Sequence, residues 1–339
     1  MTNFIDKGKK RDSSTELLRI ICMIMILCLH SFDASRLVPG DAILLDLGRE
    51  SFCICCVNVF VLISGFYSIH WKAKSFSSFI FQVYFYSVIL FLLCWALGLT
   101  EFKNIYRFGS RIIFPILNWW FVASYLLLYL ISPLLNKISD DLQIWGNILL
   151  IGVIYAISLA LDFKMILLFS VLYLVGRLLH KKMELFRNLD GFRYCVVYVV
   201  LSVIVTALAY HYYNLGLNDN LSLTHNLFAE SYYNPFVIIQ SVALFLFVTS
   251  FRYFNKYINK IAVSSFAIYL FHMHPDLKNY YFNFTSVLYE HDLFIHIFVL
   301  VLLFILVCFV SILFDQLRIK SFEYLYSRVA FFLKQDDEQ

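Results

Sequence analysis

An all-α, polytopic integral membrane protein is the fold class this sequence predicts, and three observations carry that reading. Of 339 residues, 61% are hydrophobic and 15% charged, with a mean hydropathy of +0.75; a soluble domain carries about 25% charged residues. Thirty-six Phe and 23 Tyr stand against 11 Gly and 5 Pro, leaving too little polar surface to wrap a water-soluble globule. Apolar stretches near the ~20 residues needed to cross a ~30 Å hydrocarbon core recur along the chain. Together these exclude a soluble enzyme, a disordered chain and a collagen-like fibre.

About ten spans are expected. The first 19 residues are polar and no small-residue cleavage site follows, so residues 20–32 read as the start of a retained helix after a cytoplasmic segment 1–16. The spans are 17–37, 50–69, 76–99, 114–135, 145–161, 164–180, 192–212, 235–254, 261–274 and 293–315, which make one membrane domain over 17–315. The fifth and sixth are parted only by Asp162-Phe163-Lys164, and the ninth is short, with Ser264, Ser265 and His272 inside it. Polar-interrupted segments of this kind tend to line a site, because polar groups at membrane depth must face protein or water. The tail 316–339 mixes apolar residues with Arg and Lys and is expected to lie along the inner surface.

Charge sets the orientation. With the N-terminus inside, inner segments carry 19 Lys and Arg and outer segments 7, and the long outer loop 212–234 has none. This asymmetry predicts an even number of spans with both termini cytoplasmic. The net charge of +4 is scattered, so no nucleic-acid face is expected. Eight cysteines sit mostly inside apolar runs and read as small hydrophobes. Cys53-x-Cys55-Cys56 lacks the further spaced ligands a zinc site needs, and no metal is expected.

Ionisable groups at membrane depth are costly and therefore functional candidates. In ELLRIICMIMILCLHSFD, Arg19 and His30 lie eleven positions apart. Eleven helical steps return to within about 20° of the start and rise about 16.5 Å. One face would thus carry a cation near the cytoplasmic surface and an imidazole about half a bilayer deeper. That pair suits a long ligand, anionic at one end and reactive at the other, with imidazole as the usual general base near neutral pH. A snorkelling Arg and a His packed against a partner are the structural alternatives. Glu16 and Asp33 flank the pair by three residues each, and Asp33 would orient the imidazole or be a solvated loop carboxylate.

Four stretches resemble the membrane-bound acyltransferase family 3, which includes bacterial polysaccharide and peptidoglycan O-acetyltransferases. They are Arg19 and His30 with ten residues between; Phe60 to Tyr67, containing Ser64-Gly65-Phe66; Asn118-Trp119-Trp120-Phe121 with Tyr125, running to Ser132-Pro133-Leu134-Leu135-Asn136; and Ser264 to His272, containing Ile268-Tyr269-Leu270-Phe271-His272. The resemblance covers roughly 15–275 and implies an O-acyltransferase of a bacterial inner membrane. Acyl-CoA, usually acetyl-CoA, would enter from the cytoplasm and pass its acyl group to a hydroxyl of a cell-surface or exported carbohydrate. His30 would be the base or acyl relay, and Arg19 would support coenzyme A or the motif's geometry. One departure stands out: members of the family often carry an Arg-x-x-Arg pair near the inner start of the third helix, whereas this chain reads Ser75 to Gln82 there. Lys72 and Lys74 remain upstream as point charges for phosphate.

The remaining candidates carry two readings each. Ser64 and Gly65 leave mid-helix room for the bound cofactor or for a neighbouring helix. Trp119, Trp120 and Tyr125 either stack on a sugar or join the interfacial aromatic belt, with Trp119 assigned to the belt. His272 faces the acceptor cavity or packs, and with His274 two residues on it is poorly placed to share a metal. Arg111 meets an anionic glycan or anchors the fourth span. A transporter or flippase for a lipid-linked glycan is the rival class, although no internal repeat accompanies it. A glycan polymerase would be expected to carry a larger outer loop rich in Arg. Partners implied are acyl-CoA, a glycan acceptor and the bilayer, with a homo-oligomer or an extracytoplasmic protein possible. The acceptor, and acetyl against succinyl, stay open at this level.

Overall fold

The computed structural model describes residues 12–31, 42–101, 108–161, 164–187, 190–215 and 231–336, and every regular element among them is helical. In chain order these are α1 (Ser13–His30), α2 (Ala42–Cys53), α3 (Cys55–Tyr67), α4 (Ala73–Ala96), a π-helical turn (Gly109–Ile113) and a 3-10 turn (Pro115–Asn118). Then follow α5 (Trp120–Asp141), α6 (Ile144–Ala160), α7 (Lys164–Lys181), α8 (Met183–Arg187), α9 (Gly191–Asn214) and α10 (Pro235–Ser250). The last are α11 (Lys256–Ala262), α12 (Ser265–His272), α13 (Lys278–Val287), a 3-10 turn (Leu288–Glu290) and α14 (Leu293–Asp336).

Six stretches are long and apolar enough to cross a membrane: Ser13–His30, Ile43–Tyr67, Ala73–Ala96, Trp120–Asp141, Gly191–Asn214 and Leu293–Val329. Two shorter apolar helices, Ile144–Ala160 and Pro235–Ser250, join them. The boundaries depart from the hydropathy reading for local reasons. Asp12 caps α1, its Oδ1 accepting from Ser14 N at 3.0 Å, so the helix starts before the apolar run and stops at His30. The second span begins at 43, because Asp46, Arg49 and Glu50 stay helical inside α2. Pro115 holds residues 115–118 in a 3-10 turn, which delays α5 to Trp120. The stretch 261–274 is two helices of seven and eight residues, each too short to span, parted at Val263-Ser264. The segment after 315 continues the helix of the last apolar stretch, since α14 runs unbroken for 44 residues.

The described residues divide into two compact units, a larger one drawn from 12–70 and 120–262 and a smaller one drawn from 71–119 and 263–336. In the larger unit α3 is almost wholly buried and packs on α7, α10 and α1, while α5 and α6 also pack on α7. A Cβ placed on Gly65 would collide with the Tyr173 carbonyl, and one on Gly176 with the Leu62 carbonyl. The two glycines therefore let the backbones of α3 and α7 touch, as small residues do in membrane helix pairs. Pro133 lies inside α5 and lacks an N–H for Tyr129 O; the Ser132 hydroxyl donates to that carbonyl at 2.8 Å, so the helix continues.

In the smaller unit α4 and α12 pack on α14, and the π and 3-10 turns pack on α4. Asp315 and Arg318 of α14 are buried there as an ion pair, reached by Gln82 Nε2 at 3.3 Å and the Tyr86 hydroxyl at 3.4 Å.

Candidate active site

Because α1 is unbroken from Ser13 to His30, Arg19 and His30 lie on one ridge, about 20° apart in azimuth and about 16.5 Å apart in rise. Arg19 is held rather than free: its Nη1 donates to Glu16 Oε1 at 2.7 Å, and both side chains are largely buried. Thr15 Oγ1 and Tyr67 Oη are 2.8 Å apart, which fastens the start of α1 to the end of α3. Ser64 Oγ donates to Phe60 O at 3.0 Å and accepts from Tyr125 Oη at 3.1 Å. Ser64 and Tyr125 thus form a buried polar pair inside the larger unit.

His30 ends α1 and is half-buried. The next residue, Ser31, accepts from Arg49 Nη1 at 3.5 Å, and Arg49 Nη2 lies 3.2 Å from Asp46 Oδ1. Asp33, the expected orienter of the imidazole, lies outside the described residues. Asp46 and Arg49 were missed in the sequence because they precede the apolar run that marked the second span. The signal that would have found them is two opposite charges three residues apart on a helix entering the membrane.

The aromatic candidates separate. Trp120 joins a cluster with Phe121, Phe169 and Tyr232, at ring distances of 6.0, 6.4 and 5.8 Å. Trp119 is corrected from interfacial belt to core: it is 2% exposed and its ring meets His274 edge-on at 5.9 Å. Gly65 is corrected as a cofactor contact, since the space above it is occupied by the α7 backbone.

Lys72, Lys74, Arg111 and His272 belong to the smaller unit. Lys72 and Lys74 are exposed at the start of α4, with Lys74 Nζ 5.4 Å from the centre of the Tyr326 ring. Arg111 Nε donates to Asp276 Oδ2 at 3.0 Å, and its Nη1 donates to Asn118 Oδ1 at 2.8 Å and Ser110 Oγ at 2.9 Å. Its charge is matched inside the protein, which fits the anchoring reading of Arg111. His272 is buried and its Nδ1 donates to Ile268 O at 2.6 Å. His274 Nε2 donates instead to Ser87 O at 3.2 Å, and its Nδ1 accepts from Asp276 N at 3.3 Å.

A further polar cluster appears in the larger unit, of which only Asn136 lies in one of the family-like stretches. Arg177 of α7 donates through Nη1 to Ser68 Oγ and to Asn136 Oδ1 at 2.7 Å, and through Nη2 to Asp140 Oδ1 at 2.6 Å. Tyr173 Oη donates to Asn136 Oδ1 at 2.7 Å and accepts from Ile69 N at 2.8 Å, while Asn136 Nδ2 donates to Ile69 O at 2.9 Å. Ser68 has a φ of 56°, a region costing a non-glycine residue roughly 1–3 kcal/mol, so these bonds hold a strained turn.

Compared with known proteins, residues 12–314 match a family model described as an acyltransferase domain. No curated protein and no solved structure matches the chain.

Proposed function

The chain belongs to acyltransferase family 3 and is a multi-pass membrane protein, and from that premise we propose that it moves an acetyl group from acetyl-CoA to a hydroxyl of an exported or cell-surface carbohydrate. The observation that carries this reading is the α1 ridge, with Arg19 and His30 on one face of a continuous helix. Coenzyme A bears phosphates that cannot enter hydrocarbon, and a thin pantetheine arm that can follow such a ridge. The charged end stays beside Arg19, and the thioester reaches His30.

In this mechanism His30 accepts the acceptor hydroxyl's proton as the oxygen attacks the thioester carbonyl. The C–S bond breaks, the ester C–O bond forms, and the proton passes to the departing thiolate. A relay in which His30 first takes the acetyl group uses the same residue. The carbonyl end of α1 favours a cation at that position, which suits an imidazole that gains a proton during transfer. Ser64 meets the cofactor in this reading, and Tyr125 and Trp120 meet the sugar acceptor. Both termini are cytoplasmic in this reading, as the Lys and Arg asymmetry favours, and the membrane is the bacterial inner membrane that the family resemblance implies.

Replacing His30→Ala is expected to lower acetylation of the surface glycan by roughly 10²-fold or more, with protein level and membrane insertion intact. Mass spectrometry of that glycan reads the outcome, and unchanged acetylation would end the mechanism. Purified protein is also expected to unfold at higher temperature with acetyl-CoA present, as a ligand of the folded state requires. A transporter would show no such shift.

A further inference from the structure

Arg177 carries a guanidinium whose binding edge is only half used. Its Nη1 is committed to Ser68 and Asn136, and its Nη2 reaches Asp140 Oδ1 and, at 3.4 Å, the Asn136 carbonyl, but the buried Nε has no acceptor. Nε–H and Nη2–H point the same way along one edge, the edge that grips a carboxylate or phosphate with two parallel bonds. Asp140 occupies half of it through a single oxygen. That same oxygen also receives Lys181 Nζ at 3.2 Å, which donates as well to Ser139 O at 2.5 Å, and the Asp140 side chain is 58% exposed. Two cations one helical turn apart thus share one solvent-facing carboxylate.

The position in the unit fits a ligand that also meets Arg19. The Thr15–Tyr67 contact places the start of α1 at the end of α3, and Ser68, which Arg177 holds, is the next residue. The Arg177 cluster and Arg19 therefore lie toward one end of this unit, and His30 at the far end of α1.

We propose that Arg177 and Lys181 form a phosphate-binding site for coenzyme A. The oxyanion displaces Asp140 and bridges Nε, Nη2 and Lys181 Nζ. This rests on the acyl-CoA reading above, and it supplies cations that the Ser75–Gln82 stretch lacks.

Full-length protein purified in detergent, titrated calorimetrically with acetyl-CoA, dephospho-CoA and S-acetylpantetheine, tests it. Arg177→Gln would also release the Ser68 turn, so the test uses Lys181→Gln and Asp140→Asn. Lys181→Gln is expected to weaken acetyl-CoA roughly tenfold, the worth of one charge-assisted bond, and to leave S-acetylpantetheine unchanged. Asp140→Asn, which removes the competing carboxylate, is expected to tighten acetyl-CoA. If Lys181→Gln weakens acetyl-CoA but not dephospho-CoA, the bound group is the 3′-phosphate; weakening of both assigns the diphosphate. Wild-type protein that binds acetyl-CoA, with both variants indistinguishable from it, overturns this site and leaves the acyl-CoA reading standing. Wild-type protein that binds none of the three probes overturns both.

Discussion

Arg318 and Arg177 are both buried arginines paired with an aspartate, yet the pairs are built differently. Arg318 donates through Nε to Asp315 Oδ1 at 2.9 Å and through Nη2 to Asp315 Oδ2 at 2.8 Å, so one carboxylate fills the whole edge. Both partners are sealed, with side-chain exposures of 4% and 0%. Arg177 offers the same edge to a single oxygen of an exposed carboxylate, and its Nε is left over. Arg111 stands nearer the first case, its Asp276 partner being 4% exposed. A guanidinium closed by a buried carboxylate holds helices; one closed by an exposed carboxylate can exchange that partner for another anion. The chemistry of the partner, more than burial of the arginine, separates scaffold from site.

Breaking the sealed pair is expected to have the largest effect. Asp315→Ala leaves Arg318 buried without its counter-ion, which costs roughly 3–5 kcal/mol. Thermal unfolding in detergent would show a large loss of stability, and a variant as stable as the parent would mean that the pair is not sealed. Next comes the packing beneath the open site. Gly65→Ala pushes a methyl into the Tyr173 carbonyl, and overpacking of this kind costs about 1–3 kcal/mol. Because Tyr173 and Arg177 share α7, this variant should lose stability and acetyl-CoA affinity together. The smallest stability change is expected for Asp140→Asn, at most about 1 kcal/mol because the carboxylate is exposed. A loss as large as that of Asp315→Ala would place Asp140 in the scaffold and erase the contrast between the two arginines.

The site is partly legible in the sequence. Arg19 and His30 share a helix, so their spacing sets both azimuth and rise whatever surrounds them. Their neighbours are another matter. Ser64 meets Tyr125 from 61 positions away, and Arg49 meets Ser31 from 18; no periodicity within one helix encodes such pairings. Trp119 was misplaced because an aromatic residue beside a helix start has the same sequence signature in the core as at the interface. Asp46 and Arg49 were passed over because hydropathy marks where a span becomes apolar, and helix α2 begins earlier.

By itself the sequence determined what local chemistry dictates: helices, from sustained apolar stretches; a membrane as solvent, from too little polar surface; and the ridge of α1, from the geometry of eleven successive residues. Tertiary structure decided what each buried charge is for. Arg111, Arg177 and Arg318 are alike along the chain, each a cation in or beside an apolar stretch. Only packing gives Arg111 and Arg318 buried aspartates and Arg177 an exposed one. The reason is physical: desolvation and counter-ion pairing depend on neighbours in space, and for Arg111 and Arg177 those neighbours come from other helices and turns.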